Sequence, residues 1–352
     1  MAASKRKNNN FIETLKFVLM TQYHGEKQAT KAAGFTLIEL LVAIIMAALI
    51  IAPILGLAVN LIQTDRREQA KAASEQELQA AADYITRDLQ QAVYIYDQEG
   101  LYGQGGIPGI KSQLPTVAGG EPVLVFWKRK LIQKSVPVDA TQAASSCPND
   151  CNDAFVYSLV AYYLIKDGGG NTWSNAARIG RFELQDGVRK ANGEYLNEDG
   201  KVVAKVGKDP GFQFVLDEDI AGETFREKVG NWKRDGNYNM SVTPVEVLVD
   251  YIDQSTNSDV PQEQCPADLV PADDEPEWKS VPNVTNYQNY GFYSCVYSSR
   301  NTAKVFLRGN AYARTENQDN EYKQQRAAFY PTAKIEVTGT GGLSRDLNVP
   351  GS

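Results

Sequence analysis

Gly34-Phe35-Thr36-Leu37-Ile38-Glu39, running without a break into Leu40-Leu41-Val42-Ala43-Ile44-Ile45, is the stretch that decides the fold. Between Phe35 and Val59 the only ionisable side chain is Glu39. At 1.5 Å per residue such a run makes a helix roughly 37 Å long, enough to cross a bilayer core of about 30 Å. The composition therefore predicts a membrane-spanning helix. A carboxylate at the middle of such a helix costs about 2.5 to 3.5 kcal/mol, and less near an end. Glu39 therefore needs a partner or a task. Pro53 removes one backbone hydrogen bond and is expected to kink or loosen the helix there.

Charge is distributed unevenly about this helix. Residues 1–34 hold six basic residues (Lys5, Arg6, Lys7, Lys16, Lys27, Lys31) and two acidic ones (Glu13, Glu26), a net +4. With −7 for the whole chain, −11 remains for residues 35–352. The basic bias ahead of the helix predicts a cytoplasmic N-terminus and an exported remainder. Arg66, Arg67 and Lys71, just after the helix, run against that bias. An acidic exported part argues against nucleic acid as a ligand, because phosphate contacts need clustered cations. All four cysteines, Cys147, Cys151, Cys265 and Cys295, fall in the exported part, which suits an oxidising compartment. Four cysteines allow three pairings. The expected one is Cys147 with Cys151 and Cys265 with Cys295.

Beyond Asn60 the pattern becomes amphipathic. Leu78, Ala81, Ala82, Ile85, Leu89 and Ala92 recur at spacings of three and four, one face of a helix, with Arg67, Glu68, Lys71, Glu75, Glu77, Arg87 and Asp88 mostly off it. The helix is expected to continue through residues 63–96. A glycine-rich stretch follows, and then runs rich in Val, Ile, Phe and Tyr: 123–127, 155–165, 179–184, 212–216, 245–252, 292–297, 304–308 and 334–337. No long helical period separates them, so they predict an antiparallel sheet, with loop insertions at 191–211 and 255–284. The expected class is α+β: a long N-terminal helix, apolar over 35–62 and amphipathic over 63–96, packed on a mainly antiparallel β-rich head over 97–352.

The order of small residue, Phe, Thr, Leu, Ile, Glu and an unbroken apolar run resembles the processing site of type IV pilins and of the pseudopilins of type II secretion systems. The resemblance implies that a prepilin peptidase removes residues 1–34 by cutting between Gly34 and Phe35, and that the new amine of Phe35 is methylated. It also implies a partner for Glu39, the amino group of a neighbouring subunit, which is cationic near neutral pH. Other pilins or pseudopilins, an inner-membrane assembly platform and a cytoplasmic ATPase are the further partners implied. Asp83-Tyr84-Ile85-Thr86-Arg87-Asp88-Leu89-Gln90-Gln91-Ala92-Val93 resembles the helix end of the larger minor pseudopilins of the J type. Val160-Ala161-Tyr162-Tyr163-Leu164 followed by Gly180-Arg181 is similar to a strand pair of that group. Lys304-Val305-Phe306-Leu307-Arg308-Gly309-Asn310-Ala311 resembles a strand of a cyanobacterial subgroup linked to polysaccharide secretion and gliding. These likenesses imply a minor filament subunit for polysaccharide or protein secretion. A minor pilin for adhesion, motility or DNA uptake is the alternative, and an anchored periplasmic enzyme a second.

The enzyme alternative has little to draw on. The single histidine, His24, lies in the leader, which removes Ser-His-Asp and Cys-His mechanisms from the processed chain and leaves Cys147 and Cys151 a poor zinc site. No Gly-x-x-x-x-Gly-Lys-[Ser/Thr] loop is present, so the chain is not itself a motor ATPase. A carboxylate pair for hydrolysis stays open at this level. No cofactor is expected. The acidic runs 217–219 and 273–275 suit either solvated loops or a structural Ca²⁺ site. Tyr287, Tyr290, Phe292, Tyr293 and Tyr297 suit either a sheet core or a sugar-stacking surface.

Overall fold

A computed structural model describes residues 36–104, 107–137, 151–170, 172–189, 195, 207–266, 278–283, 290–315 and 321–341. The chain divides after Ile62 into two compact units. One helix, α1 (Leu37–Gln90), supplies the described part of the first unit and the opening element of the second. The backbone stays helical through Pro53. In the second unit α1 buries Ala70, Ser74, Leu78, Ala81, Ala82, Ile85 and Leu89, the three-and-four spacing visible in the sequence.

The helix ends at Gln90, six residues before the expected end of the 63–96 segment. Ala92–Ile95 forms a strand, β1, because its β-branched and aromatic residues pair antiparallel with a central strand. The helix end is closed from far along the chain. Thr340 donates both its backbone N–H (3.0 Å) and its hydroxyl (2.9 Å) to the Gln90 carbonyl, satisfying an acceptor that the last turn leaves open. Gly341 lies against this turn, where a Cβ would meet the Gln91 carbonyl oxygen at 2.2 Å, so no larger residue fits.

After a short helix, α2 (Gln98–Tyr102), and a two-residue ribbon of β2 (Gly103–Gln104) and β3 (Ile107–Pro108), the main sheet is built from β4 (Gly120–Pro137), β5 (Cys151–Ile165), β6 (Ala177–Gln185) and β7 (Glu246–Ile252). Its order is β1-β4-β5-β6-β7, every pairing antiparallel. A second antiparallel sheet runs β11-β10-β9-β8, from β8 (Lys279–Val281), β9 (Phe292–Tyr297), β10 (Thr302–Arg308) and β11 (Thr332–Thr338). The α+β arrangement of a long helix with antiparallel sheets is thus the observed one.

Both faces of the main sheet are covered, which explains why Val123–Trp127 and Leu159–Ile165 read as unbroken apolar runs instead of alternating ones. Lys128 and Phe126 share the α1 side, where Lys128 bonds Asp88 and Phe126 stacks on Tyr162. Trp127 points the other way, onto Phe212 and Trp232 at ring-centroid distances of 5.9 and 5.4 Å. Residues 212–216 are therefore not the expected strand. They form turns, and the Phe212 and Val215 side chains roof the sheet. Trp127 Nε1 donates to the Tyr96 hydroxyl (2.8 Å), which donates to the Val229 carbonyl (2.7 Å), so the polar atoms of this aromatic layer are satisfied. Val229 belongs to α3 (Phe225–Asn231), opened by a capping box of Thr224 and Glu227.

Cys265 and Cys295 are bonded, with Cα atoms 5.5 Å apart and a sequence separation of 30. Cys151 is also disulfide-bonded, and Cys147 lies outside the described residues. On the chain-entropy account a loop of this length contributes about 3 to 4 kcal/mol. Replacing Cys295 by Ala in the full chain should lower its unfolding free energy by about that much, read from guanidinium transitions in detergent.

Candidate assembly interface

The first described residues build a helix start suited to an acid. The Thr36 carbonyl accepts from the N–H groups of Glu39 (3.0 Å) and Leu40 (3.1 Å), and its hydroxyl oxygen accepts from the Glu39 N–H at 3.3 Å. Thr36 is thus a side-chain cap, and Thr36-Leu37-Ile38-Glu39 has the spacing of a capping box. Glu39 falls in the first turn, where the free N–H groups carry partial positive charge and a carboxylate is favoured. That local field offsets part of the cost of placing an acid at the head of an apolar helix. Gly34 and Phe35 lie outside the described residues.

From Leu37 to Ile62 the helix is apolar on every side. Seventeen large hydrophobic side chains are exposed there, from 51% at Ile45 to 88% at Leu37, and among the described residues none before Ala70 is buried. At about 1.5 to 3 kcal/mol for each such side chain fully exposed to water, and with these exposed by half or more, the penalty is on the order of 15 to 30 kcal/mol. That exceeds the whole stability of an ordinary domain, about 5 to 15 kcal/mol. This surface requires lipid or other helices around it. Glu39, Pro53 and, near its end, Asn60 are the departures from an otherwise apolar stretch, and Pro53 leaves the Leu49 carbonyl without its intrahelical donor.

In the second unit the charged residues converge at a place the periodicity assigned to the helix surface. Asp88 is buried between α1 and the main sheet. Its Oδ1 accepts from Lys128 Nζ (2.8 Å), and its Oδ2 accepts from Arg181 Nε (2.7 Å) and the Tyr162 hydroxyl (2.7 Å). Glu183 closes the cluster, bonding Arg181 Nη2 at 2.6 Å and lying 3.2 and 3.3 Å from Lys128 and Lys130. Burial by itself pushes both carboxyls up. The surrounding cations overcome it, holding Asp88 below its ordinary value and Glu183 at about 2. Both carboxylates stay ionised and paired with cations from the sheet, so they make a clamp between helix and sheet. Asp88 was missed because a lone acid beside an apolar stripe reads as solvated. The signal available was the Lys128, Arg181 and Glu183 set placed within apolar strands.

Other expectations resolve locally. Tyr293 stacks on Phe306 at 4.7 Å and is buried, as are Phe292 and Tyr297, so this aromatic run belongs to the core of the second sheet. Tyr287 is outside the described residues. In the 217–219 run the Asp217 carboxylate accepts the Asp219 N–H at 3.2 Å, closing a turn. Among the described residues no group of three or more His, Cys, Asp or Glu could hold a metal, and residues 273–275 lie outside them. Asp186, pushed up to about 6 by burial, accepts the Tyr195 hydroxyl at 3.0 Å and ties the end of β6 to the bridge between Arg189 and Tyr195.

Residues 30–55 match the family model of the prokaryotic N-terminal methylation motif. No curated protein and no solved structure matches the chain. The matched segment spans Gly34, Phe35, Glu39 and Pro53 and ends before the second unit begins. The motif supports a type IV pilin-like protein, structural in role, that is processed by a prepilin peptidase, assembles with other pilins and is anchored in a membrane.

Proposed function

We propose that the chain is a minor pseudopilin, a structural subunit of a short filament of the type II secretion or type IV pilus kind, working in polysaccharide or protein secretion and gliding. It is cut after Gly34 and held by α1 as a single pass in the inner membrane, with the N-terminus cytoplasmic and the head periplasmic. A cytoplasmic ATPase acting through an inner-membrane platform then draws it into a filament. Glu39 docks on the amine of a neighbour, and Pro53 loosens the helix for its new packing. The single observation that supports this reading is the all-round apolar surface of Leu37–Ile62 with one acid in its first turn, next to the matched motif. A head of this size favours a minor or tip-proximal subunit, since repeated packing in a shaft suits a compact one.

The test is a deletion strain scored for exopolysaccharide release, protein secretion and surface pili. Loss of release or secretion with pili intact is the expected result. Loss of surface pili with secretion intact would instead identify a minor type IV pilin for adhesion, motility or DNA uptake.

A further inference from the structure

Within the second unit a cavity of about 630 Å³ opens beside the first turns of α1 beyond its apolar part. Arg66, Arg67 and Arg314 line it with Gln63, Gln69 and Thr315, and among the described residues no Asp or Glu does. Arg314 is fixed in place: its Nε donates to the Ser74 hydroxyl at 2.8 Å, its guanidinium pairs with Glu77, and it lies 4.1 Å from the centre of the Tyr251 ring. The nearby acids of the helix are also engaged, Glu68 with Lys71 and Asp65 with Gln69. Arg66 and Arg67 have no ion-pair partner among the described residues. Two guanidinium groups with no ion-pair partner among the described residues therefore border the recess, beside Arg314, whose charge Glu77 offsets.

Their place along the helix selects the anion. Arg66 follows Ile62 by four residues, roughly 6 Å of rise, which is within the headgroup zone of a bilayer whose core the apolar run fills. Arginines on this flank run against the basic bias of the leader, so an anion on the same side is needed to favour them. We propose that the cavity receives the phosphate headgroup of an anionic phospholipid from the leaflet that α1 enters on the head side. The guanidinium forks match phosphate oxygens. The site would steady the head at the membrane until the subunit is extracted. This rests on the membrane placement proposed above.

The full chain is placed in nanodiscs of phosphatidylcholine with a minor share of phosphatidylglycerol, and the lipids it retains are read by native mass spectrometry. Phosphatidylglycerol should be enriched over the bulk. Arg66→Gln should reduce the enrichment about fivefold, and Arg66→Gln with Arg67→Gln on the order of twentyfold. The pair Lys233→Gln and Arg234→Gln, which removes equal charge elsewhere, should leave it unchanged. Enrichment that survives the Arg66 and Arg67 double change overturns the site. So does stripping of the lipid by millimolar inorganic phosphate, which would mark a simple anion site. A chain that does not enter the nanodisc overturns the membrane placement instead.

Discussion

Glu39→Ala is expected to be cut and membrane-inserted like the wild type, yet to enter filaments about ten- to a hundredfold less. The figure follows from one charge-assisted hydrogen bond, about 1.5 to 3 kcal/mol, lost at each docking event. Removing the acid makes the helix more apolar, so retention in lipid should improve while assembly fails. That opposite pair of effects is what distinguishes a docking group from a structural one. Sheared filament fractions, compared with membrane fractions by immunoblot, give both readings. Equal partition of variant and wild type between the fractions would show that no neighbour reads this carboxylate. Glu39→Gln, which keeps the shape and removes the charge, should behave like Ala. Thr36 still caps the helix in either variant, since its hydroxyl accepts from the backbone N–H of residue 39.

Asp88→Ala should destabilise the head by about 3 to 5 kcal/mol, because Lys128 and Arg181 are left buried beside a missing partner. That is a large share of a domain's stability of about 5 to 15 kcal/mol. Asp88→Ala combined with Lys128→Met, Arg181→Leu and Glu183→Leu should recover much of the loss, since replacing a whole buried ionic cluster by apolar groups is often close to neutral. Urea transitions of the detergent-solubilised chain measure both. A single Asp88→Ala change costing under about 1 kcal/mol would mean that the clamp carries little of the packing between α1 and the sheet. The pH dependence has a fixed sign. Glu183 is held at about 2, below its ordinary 4.5, so its contribution is complete above about pH 4.5 and is lost as pH falls toward 2. Asp88, also lowered, acts in the same direction.

How far the sequence revealed these features depended on the interaction involved. Leu78, Ala81, Ala82, Ile85 and Leu89 declare their helix face because burial acts on each of them separately, at one spacing. Phe292–Tyr297 and the longer apolar runs declare strands for the same reason. The end of α1 was misplaced because Ala92–Ile95 continues the apolar helical spacing, and its conversion to strand depends on β4, more than twenty residues away. Phe212–Leu216 has strand composition, but its aromatic side chains roof a sheet instead of extending it. Asp88 was hidden because its partners come from β4, β5 and β6, contacts that no local pattern encodes. At the assembly site Glu39 was legible as the one acid in an apolar run, whereas the cap that Thr36 makes to its N–H was not read from the sequence.

The most direct test of the account is the N-terminus of the mature chain. Intact-mass and N-terminal analysis of the membrane-bound protein should find it beginning at Phe35 with a methylated amine. Gly34→Arg should hold it at full length and out of filaments. A wild-type protein that keeps residues 1–34, with a size unchanged by Gly34→Arg, would contradict the pilin-like reading at its first step.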